Sequence, residues 1–192
     1  MKYFWVLILT LVSLEGVCNE PSKLAKQLMA KGHAHIADHD LDGAAKYWQL
    51  AMNEYEPYKA FYFVIGDYYE NAGNIDKACE FYLKTIKHSP SHDQAAFELG
   101  LCNMYLKEWP QAIEYFNRSI AIKPNQPLAY YYIASCHGVL RQHKLAKENL
   151  LHAIALSPNI TDGLTQNDVL YKYAPERAKK GNNRARSLVD GL

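Results

Sequence analysis

The sequence predicts an all-α fold, a solenoid of helix–turn–helix repeats, and three periodic columns predict it. Gly32, Gly66, Gly100 and Ala134 stand 34 residues apart. Ala44, Ala78, Ala112 and Ala146 keep that step, and so do Pro90, Pro124 and Pro158. One period read in several columns marks a repeat array, in which a unit that cannot bury its apolar face alone buries it against its neighbours. Composition agrees. The chain has 192 residues, a formal net charge of +1 and 49% apolar residues. That balance suits neither a disordered chain nor a strongly basic nucleic-acid binder.

The N-terminus departs from the period. Lys2 precedes an apolar run from Tyr3 to Leu14, too short to span a bilayer comfortably and of the length of a secretory signal core. Gly16 and Cys18 offer small residues before a cut at Asn19, and Glu15 and Glu20 end the apolar stretch abruptly. Residues 1–18 are therefore expected to be a cleaved signal peptide. The alternatives are an uncleaved anchor, a buried apolar arm, or a lipid anchor at Cys18, the last disfavoured by Val17 and Glu15.

Four units follow, 25–58, 59–92, 93–126 and 127–160. Position 8 of each is Gly or Ala, where the first helix meets the second closely; position 20 is Ala for the same reason on the second helix. Larger residues at positions 4, 7 and 11 share one face of the first helix by their spacing of three and four, and with position 24 on the second helix they fill the space around those contacts. Proline at position 32 stops the second helix, because it cannot continue the backbone ladder. Between the helices of the second unit, Gly73 in Asn71-Ala-Gly-Asn74 can take positive φ. Beyond Ile160 the pattern fades. Asp162 can cap a helix running to about Tyr173, so residues 161–192 read as a capping helix followed by a basic tail with Arg177, Lys179, Lys180, Arg184 and Arg186. No aromatic residues interleave that tail to stack bases, and the expectation is no nucleic-acid partner.

The best-formed unit carries Tyr62, Ile65, Gly66 and Tyr69, then Ala78, Tyr82, Thr85 and Pro90. The pattern resembles the tetratricopeptide repeat. Leu99, Gly100, Ala112, Phe116, Ser119 and Pro124 repeat it, as do Tyr130, Ile133, Ala134, Ala146, Leu150, Ala153 and Pro158. The first unit is weaker, with Leu28, Gly32, Ala44, Trp48 and Ala51, and Pro57 one place late. Lys31, Asn103 and His137 replace expected apolar or aromatic residues. The resemblance implies a right-handed stack whose first helices line a groove.

Cys79, Cys102 and Cys136 remain once residues 1–18 are set aside. All three fall at packed helical positions and read as small buried hydrophobes. Only Cys79 and Cys102 could bridge, since the second helix of one unit packs on the first helix of the next.

Three patterns look chemical. Asp38-His-Asp40-Leu-Asp42-Gly43 matches half of a calcium loop, but Gln49 stands where the bidentate acid belongs and the second half overlaps the next helix. Its Asp residues are better placed to cap that helix. His35 and His39 stand one turn apart, as a helical zinc pair would, without the acid or cysteine that usually accompanies one. No P-loop and no nucleophile motif occurs. The sequence therefore predicts no enzyme, no cofactor, no metal and no small-molecule substrate. A metal-binding or hydrolytic role centred on the first unit is the alternative from another class.

By the resemblance, groove contacts fall at Met29, His33, Phe63, Asp67, Glu70, Asn71, Phe97, Leu101, Met104, Tyr105, Tyr131 and Ser135. Met29, Phe63, Phe97 and Tyr131 form one apolar column. The family's carboxylate clamp would need Lys, Arg or Asn where this chain has Met29, His33, Val64, Gln94 and Glu98, so a C-terminal carboxylate is not the expected ligand. The expected partner is a protein, a peptide or helix with apolar and basic residues. Internal packing of the stripe and self-association are the alternatives. The expected protein is a non-catalytic scaffold exported to a bacterial periplasm, acting in envelope or secretion-machinery assembly and meeting a membrane only through its signal or an anchor.

Overall fold

The computed structural model describes residues 20–162. The proposed signal peptide, the capping helix and the basic tail lie outside the described residues. Those described are helical, with no strand among them, and divide into two compact units, one ending at Lys59 and the other beginning at Ala60.

The first unit is a helical hairpin of α1 (Lys23–Ala37) and α2 (Leu41–Glu54). Ser22 caps α1, its Oγ accepting from the amide of Ala25 at 3.0 Å. Asp40 caps α2 by accepting from the amide of Gly43 at 2.9 Å. Trp48 is fully buried, and its indole lies where a Cβ on Gly32 would sit. A 3-10 helix, Glu56–Phe61, follows. Pro57, one place later than the period asks, sits inside it, and the helix expected from Lys59 runs as α-helix only from Tyr62.

The second unit holds three hairpins: α3 (Tyr62–Asn71) with α4 (Ile75–His88), α5 (Asp93–Tyr105) with α6 (Trp109–Ile122), and α7 (Pro127–Val139) with α8 (His143–Leu156). Successive hairpins pack through α4 on α5 and α6 on α7. The buried column is that of the sequence. A Cβ on Gly66 would meet the Tyr82 ring at 2.5 Å, and one on Gly100 the Phe116 ring at 2.5 Å. In the last hairpin position 24 is the smaller Leu150, and position 8 can be Ala134; both are buried. Ring size and the missing Cβ are thus two sides of one contact.

Every hairpin turns the same way. His39, Gly73, Lys107 and Arg141 all have positive φ, 58, 75, 62 and 59°, and all stand at position 15. The next amide reaches back to the carbonyl five residues before it, as in Asp40 to His35 (2.9 Å), Asn74 to Tyr69 (2.8 Å), Glu108 to Asn103 (2.7 Å) and Gln142 to His137 (2.9 Å). This closure satisfies carbonyls that the helix end would leave open. Three of the four turns use a residue other than glycine, so no glycine column marks them in the sequence.

The cysteines depart from the packing reading. Cys79 on α4 and Cys102 on α5 form a disulfide, with Cα atoms 5.8 Å apart. The packing of α4 on α5 that makes both positions suitable for small side chains also brings them to bridging distance. Cys136 stays a buried thiol, and burial pushes its pKa up to about 11.

Candidate protein-docking surface

Of the residues expected in the groove, Met29 and His33 lie on α1 in the first unit, where His33 turns its ring edge to Trp48 at a centroid distance of 5.4 Å. The other ten belong to α3, α5 and α7 of the second unit, and the surface they form is that unit's alone.

Its apolar part is half sunk into the fold. The Phe63 ring stacks on His92 at 4.7 Å and lies 5.5 Å from Tyr82. Phe97 leans on Phe116 and Tyr132, and Leu101 and Met104 also pack against the core around Phe116 and Ile133. Tyr131 sets its ring across Tyr132. These residues therefore serve two ends at once: one side of each packs inward and the remainder stays accessible. Tyr105 is open, with 68% of its surface exposed. Ser135 is half-buried, and Asn71 is tied back to its own helix by a 2.8 Å bond to the Asp67 carbonyl.

The polar part is a carboxylate cluster organised by a residue that reads, from sequence, as core packing. Tyr82 Oη lies 2.9 Å from Asp67 Oδ1 and 2.7 Å from Glu70 Oε2, so one phenolic proton is shared between two carboxylates. Burial and the two acceptors push the Tyr82 pKa upward and keep the proton in place. Burial also raises Asp67, with Glu70 adding to the rise and the Tyr82 bond opposing it. Glu98 is pushed up to about 7, first by burial and then by the charges of Glu70 and Asp67. Among the described residues no Lys or Arg pairs with Asp67, Glu70 or Glu98. The Tyr82 hydrogen bond and, more weakly, the charge of His92 favour the charged form of Asp67.

Glu98 stands between two openings. One, of about 190 Å³, is lined by Glu70, Tyr82, Leu101, Cys102 and Tyr105 among others. The other, of about 280 Å³, is lined by Gln94, Phe97, Lys123, Gln126 and Leu128 among others. At its rim Lys123 lies 3.9 Å from Asp93.

The histidines of the first unit do not converge. His35 Nδ1 is 2.8 Å from Asp40 Oδ2, and its ring stacks on Tyr47. His39 occupies the left-handed turn, and Asp42 sits in the first turn of α2. The half calcium loop is thus a helix start: α2 begins at Leu41, and Asp40 spends its carboxylate on Gly43 and His35, which together hold its pKa below the usual range. Among the described residues no group of three or more His, Cys, Asp or Glu is placed to hold a metal ion, and no helix is long and apolar enough to cross a membrane.

Residues 65–127 match the family described as tetratricopeptide repeat. The second unit thus carries the tetratricopeptide repeat pattern over these residues. Over 90% of its length and 99% of the other chain, the chain is similar to the structure of MamA, residue 41 to the end, from Desulfovibrio magneticus RS-1, with a TM-score of 0.68 and 16% identity. Two crystal structures of MamA match with TM-scores of 0.65 and 0.63, each at 20% identity. They cover 88% and 81% of this chain and 89% and 96% of theirs. At these identities the likeness shows the fold alone. No curated protein matches the chain by sequence.

Proposed function

We propose that the face of α3, α5 and α7 docks a protein segment that brings a basic side chain to Glu98 and apolar side chains to Phe97 and Tyr105. The observation that carries this reading is the cluster of Asp67, Glu70 and Glu98, crowded, partly desolvated and without a Lys or Arg partner among the described residues. Crowded carboxylates raise one another's free energy, and an incoming cation relieves that repulsion while the neighbouring apolar faces lose water.

The protein is then a non-catalytic scaffold. Its place is an oxidising compartment, in keeping with the Cys79–Cys102 bridge and with the signal-like residues 1–18. Assembly of a bacterial envelope or secretion machine is the corresponding role.

Immobilised protein should retain peptides in which Lys or Arg alternates with Leu or Phe, and should not retain the same peptides with Glu in place of the bases. Glu70→Lys combined with Glu98→Lys should weaken retention by about tenfold or more. Unchanged retention by that variant, with its helical spectrum intact, would refute the reading.

A further inference from the structure

The second unit leaves a carboxylate-lined groove, and the same chain carries a segment of the opposite charge. Between Arg177 and Arg186 there are five basic residues and no acidic one, and Leu188 and Val189 follow. This is the chemistry the groove selects: cations for Glu70 and Glu98, an apolar pair for the space beside Phe97 and Tyr105. We infer that the chain's own basic segment, residues 177–189, occupies this groove in cis and competes with the protein partner for it.

Reach permits it. Arg177 lies fifteen positions beyond Asp162. Those fifteen steps span from about 22 Å if helical to about 50 Å if extended, against roughly 20 Å for two repeat spacings. A tethered segment meets its site at an effective concentration on the order of millimolar, so even weak affinity for the groove gives high occupancy. Occupancy of nine-tenths would lower a partner's apparent affinity about tenfold. The device sets a threshold: only a partner that outcompetes the tail, or that binds the tail itself, gains the groove. It rests on the docking reading above, and the experiment separates the two.

A fluorescein-labelled peptide of residues 175–190 is titrated, by anisotropy at low salt, against three full-length proteins. These are the native chain, a tail variant (Arg177→Ser, Lys179→Ser, Lys180→Ser, Arg184→Ser, Arg186→Ser), and that variant with Glu70→Lys and Glu98→Lys added. The expected result is weak binding to the native chain, binding about tenfold tighter to the tail variant, and loss of binding when the two groove carboxylates are reversed. Light scattering should show native and tail variant at the same mass. Equal affinity for native chain and tail variant overturns the inference, as does binding indifferent to Glu70 and Glu98. A native oligomer that dissociates on tail neutralisation also overturns it, because the tail then acts between chains. An unrelated Lys/Phe peptide serves as the control on the groove. If it binds the tail variant and native chain alike, the docking surface stands and the competing tail falls. If it binds neither, the docking reading itself has failed.

Discussion

Gly100 and Phe116 are one structural decision taken at two positions. A Cβ on Gly100 would sit 2.5 Å from the ring, and Phe116 is fully buried with nowhere to retreat. Gly100→Ala should therefore cost about 1–3 kcal/mol of stability by overpacking, despite alanine's better helix propensity. Adding Phe116→Leu should recover part of that cost, because the Ala134 and Leu150 pair already shows the smaller version of the contact; paired denaturant melts would measure it. Glu98 gives a second prediction at this scale. Its pKa is raised from 4.5 to about 7, so the folded state holds a proton that the unfolded state has released. Its unfavourable contribution is absent below about pH 4.5 and complete above about pH 7. Melting temperature should fall between pH 5 and 7.5, and Glu98→Gln should flatten that slope. A basic peptide favours the charged carboxylate, so its binding should strengthen as pH rises through 7, releasing a proton that calorimetry in two buffers would detect. The groups facing Glu98 are Glu70, Asp67 and Gln94, with Tyr82 bridging the first two. The small-residue column was legible in the sequence because sterics act at fixed spacing. The Tyr82 bridge was not: position 24 reads as packing, and the sequence does not show where a buried ring ends its hydroxyl.

At the scale of the element, the hairpin turns show why backbone demand and residue choice can part. Each turn needs a left-handed residue at position 15, and only Gly73 meets that need without a Cβ. Lys107→Gly should raise stability by about 0.5–1 kcal/mol, most of the left-handed cost less the added chain entropy. Gly73→Ala should lower it by a similar amount, and thermal melts of the two variants should move in opposite directions. The helices themselves were legible from apolar spacing and caps. Pro57 reads from sequence only as one place late, and the structure shows it inside the 3-10 helix Glu56–Phe61, ahead of a short α3. The bridge from α4 to α5 was legible only as a geometric option, because no spacing motif separates a packed thiol from a bonded one.

At the scale of the molecule, a solenoid holds together through nearest-neighbour interfaces, and a covalent tie across one of them reshapes the whole. The Cys79–Cys102 bond closes a loop of 23 residues, which constrains the unfolded chain by about 3 kcal/mol on a chain-entropy reckoning. Cys79→Ser with Cys102→Ser, or reduction of the native protein, should lower stability by about that amount. Cys136 should not react until the fold opens, its thiol being buried. Fold class and repeat phase came from periodicity, which a stacked array must display. The Tyr82-bridged carboxylates, by contrast, are defined only by the packed side chains.

The same bond has a mechanical consequence. Force applied to the two ends of the chain passes from residue 79 to residue 102 through sulfur, and the backbone between them carries no load. Under tension the array can then lengthen only by what lies outside that span. A single-molecule extension trace should fall short of the full contour by about 80 Å, and a reducing agent added under load should release the hidden length in one step.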